Sequence, residues 1–134
     1  MAANLTMTGT PLLVKSGASK VTVIAGEALT AGDCCYIKSD GLAWQCDKSI
    51  VTIVTTSNFQ GITITSHAAG DPVTLFGIGA QIYLTATAQT IGTLWYISDT
   101  PGKLYDAAVA VSDTQFPVVK FITANVVEVV HFGT

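Results

Sequence analysis

Hydrophobic and polar residues alternate over short distances along most of this chain. No window longer than about ten residues carries apolar positions at helical spacing. Short runs rich in Val, Ile and Thr are instead bounded by Gly, Asp, Ser, Asn or Pro, which is typical of β-strands. So many short strands favour an all-β fold, a compact antiparallel β-barrel or β-sandwich. The predicted strands cover residues 11–15, 20–25, 33–38, 42–47, 50–56, 59–65, 72–77, 80–84, 93–98, 103–108, 117–123 and 126–131.

The clearest predicted turn is Asp40-Gly41, because this dipeptide suits a two-residue hairpin turn. Counting outward from it places Ile37 opposite Trp44 and Cys35 opposite Cys46. One face of the hairpin is then apolar and the other mostly polar, as expected for a half-buried antiparallel pair. The predicted apolar face holds Cys35, Ile37, Leu42, Trp44 and Cys46, and the opposite face holds Cys34, Tyr36, Lys38, Ala43, Gln45 and Asp47.

A similar pattern returns about sixty residues later, which predicts an internal duplication. Tyr36-Ile37 is matched by Tyr96-Ile97, and Gln60–Thr63 by Lys120–Thr123. With one residue added in the second turn, Thr100-Pro101-Gly102, the following residues also match. Gly41 then aligns with Gly102, Trp44 aligns with Tyr105, and Ile97 faces Tyr105. Both aligned glycines are predicted to have positive φ.

The domain organisation follows from these patterns. Residues 1–19 are predicted to form an extended N-terminal arm, since they are rich in Thr, Gly and Ser. Residues 20–134 form a single β domain with pseudo-repeats of about 20–79 and 80–134. Leu12, Leu13 and Val14 form an apolar run inside the arm. It is either an ordinary edge strand or a strand that pairs with a neighbouring subunit, and we predict that these three residues form a subunit or capsid interface.

Composition and charge narrow the classes of partner. Charged residues make up 11% of the chain, far below the roughly 25% of an average soluble domain, so part of its surface is expected to be buried by a partner. Six Lys and Arg in a chain of net charge −3 form no basic stripe, so nucleic acid is not an expected partner. The apolar runs are too short for a membrane-spanning helix, and residues 1–10 contain no basic residue of the kind that opens a secretion signal.

The side chains that could carry chemistry are few. Cys34, Cys35 and Cys46 lack the spacing of a metal site. A Cys35–Cys46 disulfide fits the predicted register, but a cytoplasmic chain keeps such pairs reduced, so buried free thiols are expected. His67 lies in a turn-rich stretch, His131 follows a strand, and turn formation accounts for Asp33, Asp40, Asp71 and Asp99. We therefore predict neither an enzyme nor a cofactor site.

Aromatic residues leave one other function open. A carbohydrate-binding module could use aromatic side chains as stacking platforms, although aromatic residues on hairpins more often anchor a core or an interface. The candidate platform residues are Tyr36, Trp44, Trp95, Tyr96 and Tyr105.

Several blocks of the sequence resemble, in order and spacing, small decoration proteins on the capsids of tailed double-stranded DNA phages. These blocks are residues 25–33, which read Ala-Gly-Glu-Ala-Leu-Thr-Ala-Gly-Asp, then Tyr36-Ile37 with Asp40-Gly41, Gly61-Ile62-Thr63, residues 69–75 and residues 94–102. The resemblance covers about residues 20–130. The Cys34-Cys35 pair and residues 51–57 have no counterpart in it.

The resemblance implies a structural virion protein that binds the major capsid protein on the outside of the shell and stabilises it against internal DNA pressure. It implies a homotrimer, no active site, and assembly in the host cytoplasm. Related folds also occur in head fibres and tail components, so a head-fibre base or a tail module is the alternative.

Overall fold

The computed structural model describes residues 11–17, 19–46, 59–84, 89–97, 100–105 and 118–130. Within these ranges the chain forms eleven β-strands and no helix. The strands are β1 (Leu12–Lys15), β2 (Lys20–Ile24), β3 (Cys34–Ile37), β4 (Ala43–Gln45), β5 (Phe59–Ile62), β6 (Pro72–Phe76), β7 (Gln81–Tyr83), β8 (Leu94–Ile97), β9 (Leu104–Tyr105), β10 (Val119–Phe121) and β11 (Val126–Val129). The predicted strand at residues 50–56 lies outside the described residues.

The strands form two antiparallel sheets that pack together as a β-sandwich, which confirms the predicted all-β class. The five-stranded sheet has the order β2-β6-β5-β3-β4, and the six-stranded sheet has the order β1-β7-β11-β10-β8-β9. Strands β2, β6, β5, β3 and β4 of the first sheet therefore correspond, in this order, to β7, β11, β10, β8 and β9 of the second. This correspondence supports the predicted pseudo-repeats, while duplication as their origin stays a prediction.

The main core lies between the two sheets. The five-stranded sheet contributes Phe59, Ile62 and Tyr36, and the six-stranded sheet contributes Ile82 and Phe121, all nearly or fully buried. Burial of apolar side chains of this size stabilises the fold by about 1.5–3 kcal/mol each. The sandwich is therefore held mainly by contact between the two inner faces.

A second, smaller core covers the outer face of the five-stranded sheet. There the segment after β2 folds back over the sheet and buries Ala25 and Leu29 against Cys35, Val73 and Leu75. Strand β3 is consequently buried on both faces, and Cys34 belongs to the main core whereas Cys35 belongs to the second one. The expectation that this hairpin has one polar, half-exposed face is wrong.

The predicted register of the first hairpin is also wrong by one residue. Tyr36, not Ile37, lies opposite Trp44, and Cys35 lies opposite Gln45 rather than Cys46. The cause is the turn, which contains three residues instead of two: the N–H of Gly41 donates to the carbonyl of Lys38 at 2.9 Å, and the N–H of Lys38 donates to Leu42 at 3.1 Å.

The second hairpin repeats this one-residue shift. Tyr96 lies opposite Tyr105, where Ile97 had been expected. The turn brings Lys103 N–H to the carbonyl of Thr100 at 3.1 Å. The extra residue in the second turn is thus confirmed, since Tyr36–Trp44 corresponds to Tyr96–Tyr105.

Strands β5 and β10, which follow the two hairpins, do not correspond in hydrogen bonding at the sixty-residue spacing of the sequence match. Thr63 N–H donates to Asp33, and Phe121 N–H donates to Thr93 in the same way. Hydrogen bonding therefore aligns Thr63 with Phe121, whereas the sequence match aligned Gly61 with it. An irregularity in the β3–β5 pairing between Cys35 and Tyr36 accounts for part of this shift.

Candidate interaction sites

Strand β1 carries the apolar run predicted to form an interface. It pairs antiparallel with β7 of the same chain, with Leu12 opposite Tyr83 and Leu13 opposite Ile82. Leu13 packs against the main core, whereas Leu12 and Val14 are 61% and 57% exposed. The three predicted residues therefore divide into one that anchors the strand and two that project outward.

The position of β1 bears on the predicted arm. Residues 12–15 form the edge strand of the chain's own six-stranded sheet, and the other side of β1 has no partner strand among the described residues. Residues 1–10 lie outside the described residues. A contact between this edge and another subunit stays a prediction.

A second candidate site is a junction between the two sheets. We call residues Thr100–Lys103, the turn of the second hairpin, the Gly102 turn, and this turn packs against the five-stranded sheet. Cys34 N–H donates to Gly102 at 2.9 Å, and Gly102 N–H donates to the carbonyl of Cys46 at 2.8 Å. A Cβ at Gly102 would lie 2.7 Å from Asp33 Oδ1. The two main chains approach this closely because glycine has no side chain.

Asp33 is the buried charge at this junction. Its Oδ2 accepts hydrogen bonds from Thr30 N–H at 2.8 Å and from Gln45 Nε2 at 2.7 Å. Its Oδ1 has no hydrogen-bond partner among the described residues, but Lys103 Nζ lies 3.8 Å away. The Gly102 turn thus brings a cation to a carboxylate on the opposite sheet.

Burial raises the pKa of Asp33 above its ordinary value of 3.8, and the negative charge of Glu27 acts in the same direction. The two hydrogen bonds and the charge of Lys103 oppose this change only in part. Glu27 itself accepts a hydrogen bond from Gln45 N–H at 2.8 Å. The turn assignment for Asp33 is correct in that Asp33 N–H donates to Thr30, but it missed the burial of the carboxylate.

The first hairpin has a corresponding turn, Ser39–Leu42, which we call the Gly41 turn. Its residues 39–41 are exposed. A Cβ at Gly41 would meet nothing within 4 Å. The Asp40 carboxylate accepts hydrogen bonds from Leu42 N–H at 2.9 Å and from Trp44 Nε1 at 3.3 Å, and Lys38 Nζ lies 3.9 Å from the centre of the Trp44 ring. These contacts connect the exposed turn to Trp44 of β4.

The three cysteines are free and buried, as expected. The Cys46 N–H donates to the carbonyl of Cys34 at 2.8 Å, so these two residues lie across from each other on β3 and the end of β4. Burial raises the pKa of the Cys34 and Cys35 thiols, and the neighbouring negative charge of Asp33 adds to the effect. Thiols of this kind are poor nucleophiles and poor metal ligands.

The remaining candidate side chains are not grouped into a site. Thr65 Oγ1 and His67 Nε2 are 2.6 Å apart in a loop, and the His67 main chain pairs with buried Leu29. His131 lies outside the described residues. No group of three His, Cys, Asp or Glu able to hold a metal ion occurs in the described part of the chain, and no helix there is long and apolar enough to cross a membrane.

The proposed aromatic platform does not form around the two tryptophans. Trp95 is buried in the main core, where its ring meets Phe121 edge-on at 6.0 Å between centroids. Trp44 is half-buried and lies against Gly26, at which a Cβ would fall within 2.4 Å of the ring. Trp95 is therefore not available as a stacking platform, while sugar binding through the other aromatic residues stays a prediction.

Comparison with models of known protein families and with curated proteins found no match. The resemblance to capsid decoration proteins thus depends on the order and spacing of the sequence blocks described above.

Proposed function

We propose that this chain is a decoration protein of a tailed double-stranded DNA phage, which binds the outside of the capsid as a homotrimer and stabilises the shell. The observation that carries the proposal is the ordered series of sequence blocks. The blocks at residues 25–33 and 94–102 include Asp33 and Gly102, which meet at the junction between the two sheets. The proposed role is structural, with the major capsid protein as partner and no cofactor.

Surface properties support this proposal. A chain with 11% charged residues that also exposes Leu12 and Val14 on an edge strand is suited to lasting contact with another protein. An edge strand can add to a neighbour's sheet through main-chain hydrogen bonds, while alternate side chains fill pockets. Residues 1–19, which include Leu12, Leu13 and Val14, are therefore the proposed contact with a trimer mate or with the shell.

The test is co-sedimentation of the purified protein with empty shells of the same phage, combined with light scattering for its mass. A truncation beginning at Lys20 removes β1, and Leu13 with it, so it tests folding together with binding. A truncation beginning at Pro11 keeps β1, and the variant Leu12→Lys with Val14→Lys changes only exposed side chains.

We expect both of these milder variants to keep the fold by circular dichroism and to bind shells more weakly. A matched control is Ile24→Lys, which places a charge on an exposed apolar position of β2. A wild-type protein that is monomeric and ignores every shell would refute decoration. Imaging of intact particles that places the chain only in a fibre or the tail would instead support the alternative virion role.

A further inference from the structure

Two of the three buried cysteines face each other across β3 and the end of β4. Cys35 lies opposite Gln45, so continuing this antiparallel register by one residue places Cys34 opposite Cys46. The hydrogen bond from Cys46 N–H to the carbonyl of Cys34, at 2.8 Å, agrees with that pairing. Both side chains belong to the main core and are fully buried. Cys34 and Cys46 are therefore cross-strand neighbours on one face of the sheet.

Cross-strand neighbours of this kind are close enough for a disulfide. Opposite residues in a hydrogen-bonded antiparallel pair have Cα atoms about 5.5 Å apart, and a disulfide usually joins Cα atoms about 4.4–6.8 Å apart. Their Cβ atoms, about 4.5–5.5 Å apart, must approach to about 3.5–4.5 Å when the bond forms. The bond therefore requires a small movement of the two strands and no change of register.

The third cysteine does not compete for either partner. Successive side chains of a strand point to opposite faces of the sheet, and Cys35 is accordingly buried in the second core while Cys34 is buried in the main core. A bond from Cys35 to Cys46 would have to cross the sheet. The three thiols thus offer one pair that can form a disulfide in the native fold.

The same two cysteines hold the Gly102 turn. In a regular antiparallel ladder Cys34 N–H would donate to the carbonyl of Cys46. Gly102 instead lies between them: Cys34 N–H donates to the Gly102 carbonyl at 2.9 Å, and Gly102 N–H donates to the Cys46 carbonyl at 2.8 Å. A covalent bond between the two side chains would therefore fix the relative positions of the two main-chain groups that bind the turn.

We propose that Cys34 and Cys46 are a redox-active pair, which forms a disulfide under oxidising conditions and thereby strengthens the attachment of the Gly102 turn to the five-stranded sheet. The inference concerns a single copy of the chain and does not rest on the proposed function. A protein that is made in a reducing cytoplasm and then released from the cell would undergo this change on release.

The oxidant is a small disulfide such as oxidised glutathione. The thiolate of one cysteine attacks it to form a mixed disulfide and releases one glutathione, and the thiolate of the other cysteine then displaces the second glutathione. The pair loses two electrons and two protons, and oxidised glutathione becomes two glutathione thiols. Because burial raises the pKa of the Cys34 thiol, this exchange should be slow in the folded protein and fast during refolding.

The test is refolding of the reduced, denatured protein in a glutathione redox buffer, followed by trypsin digestion of the monomer and mass spectrometry without reduction. Cleavage after Lys38 separates Cys46 from the other two cysteines, so the disulfide joins two peptides. The variant Cys35→Ala contains only the proposed pair and should give the linked peptides as fully as the wild type. Cys34→Ala contains only Cys35 and Cys46 and should give about tenfold less, because its disulfide would strain the native fold.

The Cys35→Ala result decides the question by itself, so Cys34→Ala need not fold, and Cys35→Val replaces Cys35→Ala if the alanine variant does not fold. The pairing is refuted if the Cys35 variant stays reduced or carries only glutathione adducts. It is also refuted if Cys34→Ala yields the linked peptides as fully as the wild type.

Hydrogen exchange tests the effect on the turn. Gly102 N–H, which donates to Cys46, should exchange about tenfold more slowly in the oxidised than in the reduced wild type. Gly79 N–H, which donates to Val129 between other strands, is the matched control and should exchange at the same rate in both forms. Equal rates for Gly102 N–H in the two forms would overturn the proposed coupling between the pair and the turn.

Discussion

Substitution of the two corresponding glycines by alanine should have very different effects on stability. Gly41 and Gly102 have φ values of 80° and 78°, as the sequence predicted, so an added Cβ strains the backbone equally at both positions. This strain costs about 1–2 kcal/mol per residue. Gly41→Ala should lower the free energy of unfolding by that amount and no more, because its Cβ meets nothing within 4 Å.

Gly102→Ala adds a steric cost to the same strain. Its Cβ would lie 2.7 Å from both Cγ and Oδ1 of Asp33 and 3.0 Å from Gln45 Nε2. The turn must then move away, which disturbs its two main-chain hydrogen bonds, to Cys34 and Cys46, in a buried place. Overpacking costs about 1–3 kcal/mol, and an unsatisfied buried group costs a similar amount. We expect Gly102→Ala to cost about 2–4 kcal/mol more than Gly41→Ala.

Thermal and urea unfolding followed by circular dichroism measure this difference. A cost of 1 kcal/mol corresponds to about 3–5 °C in melting temperature for a domain of this size. The alanine variant at position 102 should therefore melt well below the variant at 41. Equal shifts for the two variants would show that the Gly102 turn is not docked, and no shift for either would show that neither glycine has positive φ.

Three further predictions concern the buried charge, the edge strand and the thiols. Because the pKa of Asp33 is raised in the folded state, its burial destabilises the protein above that pKa, and this destabilisation disappears as pH falls toward 3.8. The melting temperature of the wild type relative to that of Asp33→Asn should therefore rise as pH is lowered from 7 to about 4. A difference in melting temperature that does not change with pH would contradict this. Leu13→Ala should cost about 1–2 kcal/mol in urea unfolding, whereas exposed Leu12→Ala should change stability by less than about 0.5 kcal/mol; similar losses would mean that β1 packs differently. All three cysteines should resist a thiol reagent in native buffer and react in denaturant, and fast labelling of the folded protein would show that one of them is accessible.

The strands were predictable because apolar runs and turn residues alternate on a short length scale. Each of the eleven strands falls within a predicted range, the shortest being β9 (Leu104–Tyr105) in the range 103–108. The two hairpin turns were also predictable, since glycine adopts positive φ without strain and both Gly41 and Gly102 have positive φ at the predicted turns. Strand order was not predicted, because pairing between distant strands leaves no local signal in one sequence.

The predicted register of the first hairpin, and the prediction of which side chains share a face, were wrong for an identifiable reason. Asp-Gly fits both a two-residue turn and the last two positions of a three-residue turn, and these differ by one residue in pairing. Such a shift moves every side chain to the other face. The apolar pattern could not decide between them, because Cys34 and Cys35 are both buried and β3 has a core on each side.

The junction at Asp33 was missed because its local sequence is explained by turn formation alone. Its long-range partners, Gln45 and Lys103, are identified only by the fold. The repeat nevertheless contained a usable signal. Aligned with one extra residue in the second turn, it pairs Asp33 with Thr93 and Lys103 with Leu42, so one repeat has a charge where the other is neutral, on both sides of the contact. Because the carboxylate and the lysine occur together in one repeat and are both replaced by neutral residues in the other, these two positions are expected to meet in space, which agrees with the 3.8 Å between Lys103 Nζ and Asp33 Oδ1.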